Sequence, residues 1–202
     1  MIGAGVDVEY LSNPFGNAVA LHQWSWTLFT VEGTPYRVVF LADLFALLWL
    51  LATTFSTKLL DGLDGLVSGI TVIGMLILFF LSQTATVGQP ETAALALTIA
   101  ACYLGFLLFN FHPASIFLGE SGATLAGFLL GTLAILSGGK IATALLILGI
   151  PMLDVAWIIV RRIVRERRSF TLADRQHLHF RLVDMGIGHR NAVLLLYLCT
   201  AT

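Results

Sequence analysis

Asp61 and Asp64 stand three residues apart in LLDGLDGLVSG, a spacing that turns both carboxylates to one side of a helical turn while Leu60, Leu63 and Leu66 face elsewhere. Carboxylates this close to long apolar runs are costly to desolvate and are retained for a ligand or ion. The alternative is an Asp-Gly turn with Asp64 capping the next helix. A second polar segment, NFHPASIFLGESG, gathers Asn110, His112, Glu120 and Ser121 around Pro113 and Gly119. Glu120 has the oxygen chemistry of a magnesium ligand, or is a solvated loop charge; Phe117 can stack on a base or dip into lipid. A third segment, RRIVRERRSFTLADRQHLHFRL, joins an arginine cluster to Asp174, Arg175, His177 and His179. Histidines two apart do not share a helix face, so an extended or irregular stretch is expected there. Arginine and histidine opposite carboxylates suit a pyrophosphate. Carboxylates for magnesium, cations for phosphate charge and an ordered site are the inventory of phosphoryl transfer. A lipid acceptor would account for the apolar character of the chain.

That character is pronounced. Of 202 residues, 57% are hydrophobic and 11% charged, and the mean hydropathy is +0.89, which excludes an ordinary soluble globule. A formal charge of -1 leaves no bulk positive field for nucleic acid. The fold class expected is an all-α polytopic membrane protein. Apolar runs at 38–57, 66–82, 92–109, 124–136 with its flanks, and 141–160 give five spanning helices, and 191–202 gives a partial sixth. Residues 1–35 alternate and turn, and are expected to form a short extracytoplasmic or interfacial β-hairpin region; Trp24, Trp26 and Tyr36 suit either a membrane boundary or strand packing. Residues 36–202 then form one multi-helix membrane domain. Eight arginines between 161 and 190 mark their segment as cytoplasmic. Flipping sides at each helix puts the other two polar segments on that same face. Gly65 with Gly69, and Gly127 with Gly131, are spaced for close helix approach. Cys102 and Cys199 lie in apolar runs and read as packing residues. The amino terminus lacks the pattern of a cleaved signal peptide.

Taken in order, LLDGLDGLVSG, NFHPASIFLGESGA, PMLDVAWIIVRR and ADRQHLHFRL resemble the motifs of the polyprenyl-phosphate N-acetylhexosamine-1-phosphate transferases of glycosyltransferase family 4, over nearly the whole chain from about residue 13. The resemblance implies transfer of a sugar 1-phosphate from a UDP-N-acetylhexosamine to undecaprenyl phosphate, giving a lipid-linked diphosphosugar and UMP for surface-glycan synthesis. Magnesium is the implied cofactor, with manganese as a substitute. The setting implied is the bilayer of the bacterial cytoplasmic membrane, with a multi-pass chain, a cytoplasmic active face and assembly as a homodimer. Residue by residue, Asp61 and Asp64 match essential acids, Gly62, Leu63 and Asp64 lie where the uracil is held, and Phe117 matches the aromatic stacked on it. Glu120 falls at the metal-binding aspartate, Asn110 at the loop asparagine near the nucleotide, and His177 and His179 in the histidine motif that meets the diphosphate, beside Arg175. The Asp-Arg-Gln-His-Leu-His stretch resembles the N-acetylglucosamine branch; the alternative is the phospho-N-acetylmuramoyl-pentapeptide transferase branch.

The chain departs from the pattern at several points. Glu120 replaces aspartate, Ala123 stands where serine is common, Phe180 replaces the last histidine, and Phe55 and Lys58 stand where asparagines are frequent. Lys58 is placed to pair with Asp61 or to reach a phosphate. No adjacent acidic pair occurs in the chain, whereas family members carry one upstream. A truncated chain is therefore expected, with catalysis by this piece alone impaired; an inactive paralogue that binds lipid phosphate is the non-enzymatic alternative.

Overall fold

Helix and strand follow the change of period along the chain. In the computed structural model, the described residues are 10–11, 19–20, 25–31, 34–85, 87–137 and 178–201, with isolated positions between 149 and 160. They fall in two compact units, Met1–Leu51 and Ala52–Thr202. In the first, β1 (Tyr10–Leu11) pairs with β2 (Val19–Ala20), and β3 (Ser25–Val31) pairs antiparallel with β4 (Thr34–Val39). Helix α1 (Phe40–Leu60) starts there. It begins later than its apolar run suggests, because β-branched Val38 and Val39 remain paired with Trp26 and Ser25. The boundary expected at residue 35 is thus crossed by β4. Trp24 lies outside the described residues.

The second unit contains the rest of α1, then α2 (Leu66–Ser82), α3 (Pro90–Asn110), α4 (Gly119–Leu136), α5 (Leu178–Asp184) and α6 (His189–Ala201). Among the described residues, α1, α3 and α4 are long and apolar enough to cross a membrane, and α2, with 17 residues, is a shorter apolar helix. The expected fifth span, 141–160, lies mostly outside the described residues. Helix α4 starts at Gly119, five residues before its apolar run, so Glu120 and Ser121 sit on its first turn and not in a loop. His179 likewise lies in helical backbone, not in an irregular stretch, while His177 is outside the described residues.

Helix α2 is the centre of this unit, with α3, α4 and α6 against it. A helix apolar on all sides is stable only when enclosed, and Leu66, Val67, Ile70, Met75 and Leu78 are nearly inaccessible. The facing stripe of α3 is Ala93, Ala96, Ala100 and Tyr103, spaced three, four and three residues apart, so it forms one smooth face. Its other faces present Leu95, Leu97, Leu104 and Leu108 outward, where a bilayer would accept them. Some buried hydroxyls are satisfied within their own helix: Thr57 donates to Thr53 O at 3.1 Å and Thr71 to Val67 O at 2.7 Å. Gly127 sets the spacing of α1 and α4, since a Cβ there would lie 2.5 Å from Thr53 O and 2.8 Å from Thr54 Cα. Backbone atoms cannot step aside. Gly127→Ala should therefore cost about 1–3 kcal/mol of stability, seen as a lowered thermal midpoint of the detergent-solubilised protein. Gly105→Ala, where a Cβ meets nothing within 4 Å, should be neutral or slightly stabilising.

Candidate functional site

The acidic loop is anchored by its leucines and read out through its aspartates. Leu60, Leu63 and Leu66 are buried in the core, so every third side chain pins the segment between α1 and α2. Gly62 N–H donates to Leu60 O at 2.7 Å and Leu66 N–H to Leu63 O at 3.1 Å, closing two successive turns. Gly65 occupies the left-handed region, φ +79, and a Cβ there would press on Phe111 and Leu107 at 3.2–3.3 Å. The cap of α2 is Gly65, with no side-chain cap bond. Asp64 therefore does not cap α2, and its carboxylate is used elsewhere.

Asn110, the last residue of α3, ties this loop to the next. Only 5% exposed, it accepts Gly65 N–H at 3.2 Å and the Ser68 hydroxyl at 2.7 Å on Oδ1, and its Nδ2 donates to Ile116 O at 3.0 Å. One amide thus joins the start of α2 to the far side of the α3–α4 loop. That loop folds back on itself through Ser115, whose N–H and hydroxyl both donate to Phe109 O, at 2.8 and 3.0 Å. Asp64 Oδ2 then faces His112 Nδ1 at 2.9 Å and accepts Ala114 N–H at 3.3 Å.

A residue far along the chain completes the arrangement. His189, at the start of α6, accepts Asp64 N–H on Nε2 at 2.9 Å and stacks on the His112 ring, with centroids 4.2 Å apart and planes 16° apart. Tyr197 on the same helix donates its hydroxyl to Gly65 O. No motif singled out His189, Tyr197 or Ser68. The first is 125 residues from its partner, and a lone histidine or tyrosine at a helix carries no spacing signal. His112 stood in a polar loop between Asn110 and Pro113, but nothing in the loop named Asp64 as its partner.

The two acids differ electrostatically. Burial works to raise the Asp64 carboxyl, but bonds from His112 and Ala114 N–H, and the attraction of His189 and His112 when protonated, outweigh it, so it lies below the ordinary carboxylate value. Asp61 has no hydrogen bond among the described residues, and burial pushes it up to about 6. Lys58 is ion-paired with Glu120 across α1 and α4, and not with Asp61. With Glu120 71% exposed, such a pair is worth about 0–1 kcal/mol. Phe117 is 75% exposed at the tip of the α3–α4 loop, its ring open to a partner. Gly62 and Leu63 provide the backbone between the acids. Asp174, Arg175 and His177 lie outside the described residues, as does the side chain of His179.

Two donor sets can be weighed for a metal. Asp64, His112 and His189 each offer an atom within 4.8 Å of the others. Both ring nitrogens are already in hydrogen bonds to Asp64, and nitrogen donors are foreign to magnesium. Asp61 and Glu120 offer oxygen, the donor that magnesium takes; Glu120 already draws Lys58, and Asp61 has no ion pair among the described residues.

Two outcomes test this geometry. Asn110→Ala strands Gly65 N–H and Ile116 O and should cost about 1–3 kcal/mol, read as a lowered thermal midpoint. A depressed Asp64 pKa adds stability above the ordinary carboxylate value, and that stability is lost as pH falls through the lowered one. His112→Ala removes a cause of the depression, so its loss of stability in acid should begin at a higher pH than in the parent.

Residues 2–138, which include both loops, match the family described as Glycosyl transferase family 4. A probable undecaprenyl-phosphate N-acetylglucosaminyl 1-phosphate transferase of Bacillus subtilis (strain 168) is 36% identical over 157 residues, covering 75% of this chain and 43% of that protein. A phospho-N-acetylmuramoyl-pentapeptide-transferase of Moorella thermoacetica is 37% identical over 155 residues, 75% of this chain and 48% of that one. An undecaprenyl-phosphate alpha-N-acetylglucosaminyl 1-phosphate transferase of Thermotoga maritima is 30% identical over 174 residues, 86% and 53% respectively. The chain spans about half the length of the curated relatives it matches. Because that match covers more than half of the chain, including the paired aspartates and the asparagine that ties their loop to the next, the chain belongs to glycosyl transferase family 4.

Proposed function

We propose that the protein transfers a sugar 1-phosphate, N-acetylglucosamine 1-phosphate, from its UDP-sugar to undecaprenyl phosphate, releasing UMP and leaving a lipid-linked diphosphosugar. The observation that carries this reading is the locking of the acidic loop onto the α3–α4 loop by Asn110, next to helices whose outer faces are apolar. Polar chemistry at the end of lipid-facing helices is what a reaction between a soluble nucleotide and a membrane-held phosphate requires. The names of two of the relatives agree with the sugar and the lipid.

In this reading an oxygen of the lipid phosphate attacks the phosphorus that carries the sugar, the phosphoanhydride bond breaks, and UMP departs with the bonding pair. Asp64, held by His112 and Ala114 N–H through Oδ2, has Oδ1 free among the described residues to accept a donor from the nucleobase. Phe117 offers an exposed ring for stacking. Asp61 and Glu120 would hold magnesium, which when bound neutralises phosphate charge during transfer. Lys58, beside Glu120, and Arg175, His177 and His179 from the third segment supply cations or donors for the diphosphate. The excess of arginine in that segment supports a cytoplasmic side of the bacterial membrane for these groups. Homodimer formation belongs to the same proposal.

The peptidoglycan reading keeps the reaction and changes the donor to UDP-N-acetylmuramoyl-pentapeptide; the Moorella relative, at 37% identity, favours it. Membranes containing the full-length protein and added undecaprenyl phosphate, given each donor separately, distinguish the two by which yields UMP. UMP from UDP-N-acetylglucosamine supports the first reading, and binding of either nucleotide with no release supports an inactive paralogue. Asp61→Asn should lower UMP release by at least about a thousandfold, as for removal of a group acting on transition-state charge, while the thermal midpoint stays at or above that of the parent.

A further inference from the structure

The helix that completes the site reaches it by a route separate from the motifs. Helix α5 ends on Gly186, φ +88, with Ile187 N–H donating to Leu182 O at 3.2 Å and Gly186 N–H to Val183 O at 2.9 Å. That paired pattern around a left-handed glycine stops a helix and reverses the chain. The chain enters α6 at His189, and two consecutive residues land on two consecutive residues of the α3–α4 loop. His189 stacks on His112, and the Arg190 guanidinium lies 5.6 Å from the centre of the Phe111 ring. Two turns further on, Tyr197 occupies the space left by Gly69, where a Cβ would come within 2.5 Å of its ring.

The backbone groups that α6 takes up flank the start of α2. Asp64 N–H lies outside the α2 ladder and is satisfied by His189 Nε2. Because that N–H is the donor, Nε2 must be the unprotonated nitrogen and the ring proton sits on Nδ1. Gly65 O, one residue further on, takes the Tyr197 hydroxyl. The peptide carrying Asp64 is therefore clamped from α6, while its side chain is clamped from the α3–α4 loop.

We infer that His189 is a positioning residue: as a neutral acceptor it fixes the backbone of Asp64, with Tyr197 holding the carbonyl of Gly65, so that the carboxylate oxygen Oδ1, free among the described residues, meets the nucleotide in one orientation. This rests on the reading of Asp64 as a nucleotide-facing acid. Protonation of Nε2 would replace the acceptor by a second donor and open the clamp. The titratable and charged groups that face His189 among the described residues are Asp64 from the α1–α2 loop, His112 from the α3–α4 loop and Arg190 on α6 itself. Burial and then His112 lower the His189 pKa while Asp64 opposes them. With a folded pKa below the ordinary one, the clamp is present at neutral pH and lost as pH falls through the lowered value.

The test compares His189→Ala and His189→Gln in the full-length protein in detergent or nanodiscs. Glutamine can place an acceptor oxygen where Nε2 lies but cannot titrate. Hydrogen exchange of the 61–66 peptide reads the Asp64 amide directly, without reference to activity. His189→Ala should exchange it about tenfold faster or more, and His189→Gln should restore protection and remove its dependence on acid. In UMP-release assays His189→Ala should raise KM for the UDP-sugar about tenfold with a smaller change in kcat, with rescue by glutamine. Unchanged protection in His189→Ala, or glutamine no better than alanine, overturns the proposal. Should His189→Ala fail to fold, His189→Gln protected and Tyr197→Phe loosened supports it, and the reverse pattern overturns it. If the parent releases no UMP from either donor, the proposed function fails, and hydrogen exchange still decides whether His189 holds the loop.

Discussion

A single amide, that of Asn110, is placed where it must be satisfied by both loops or by neither. It is buried at the foot of α3 against the start of α2, where water is not available to replace a lost partner. A buried polar group left without a bond costs about 1–3 kcal/mol. The Asn110 side chain therefore favours only conformations in which Gly65 N–H, Ser68 Oγ and Ile116 O all converge on it. That convergence puts Asp64 beside His112 and Ala114 N–H. The carboxylate geometry is thus a consequence of amide satisfaction a few residues away, in a setting where the hydrophobic effect alone would not specify a unique loop arrangement.

The helices serve this constraint through small residues and not through large interdigitating ones. Between lipid-facing helices there is no hydrophobic gain in association, so close approach and dispersion contacts carry the packing. Gly127 lets α4 come against the α1 backbone, and the alanine stripe of α3 does the same against α2. Glycine at 69 instead admits the Tyr197 ring. Large side chains such as Leu104, Leu108 and Phe80 point outward. Enclosing α2 gives the loops at its start a rigid origin, which a catalytic constellation needs if its atoms are to be placed within a fraction of an ångström.

The charges divide into settled and unsettled ones. Asp64 is settled: its Oδ2 and its N–H are both engaged, and its carboxyl titrates below the ordinary carboxylate value. Asp61 is unsettled, with burial raising it to about 6 and no protein hydrogen bond among the described residues. Glu120 and Lys58 hold one another loosely at an exposed edge. One acid held by hydrogen bonds beside one raised by burial is the kind of asymmetry that pairs of carboxyls at functional sites show.

How much of this was legible before folding depends on the range of the cause. The apolar runs located α1 to α4 to within a few residues, because burial in lipid or core is decided by composition over a whole turn or more. The Asp-Gly-Leu-Asp-Gly and Asn-Phe-His-Pro segments declared their chemistry, because acids beside hydrocarbon are expensive wherever the chain goes. The sequence could not decide the ends: Val38 and Val39 stayed with strand partners, and Gly119 began α4 early. Nor could it assign partners. Lys58 had Asp61 within reach along its own turn but took Glu120 from another helix. Asp64 could have capped α2 locally, yet its carboxylate turned to His112 and its N–H to His189, 125 residues away. Residue types and local spacing determined which groups were available. Only the tertiary structure, by bringing α3 and α6 against α2, decided which of them would meet, because a hydrogen bond depends on distance in space and not on separation along the chain.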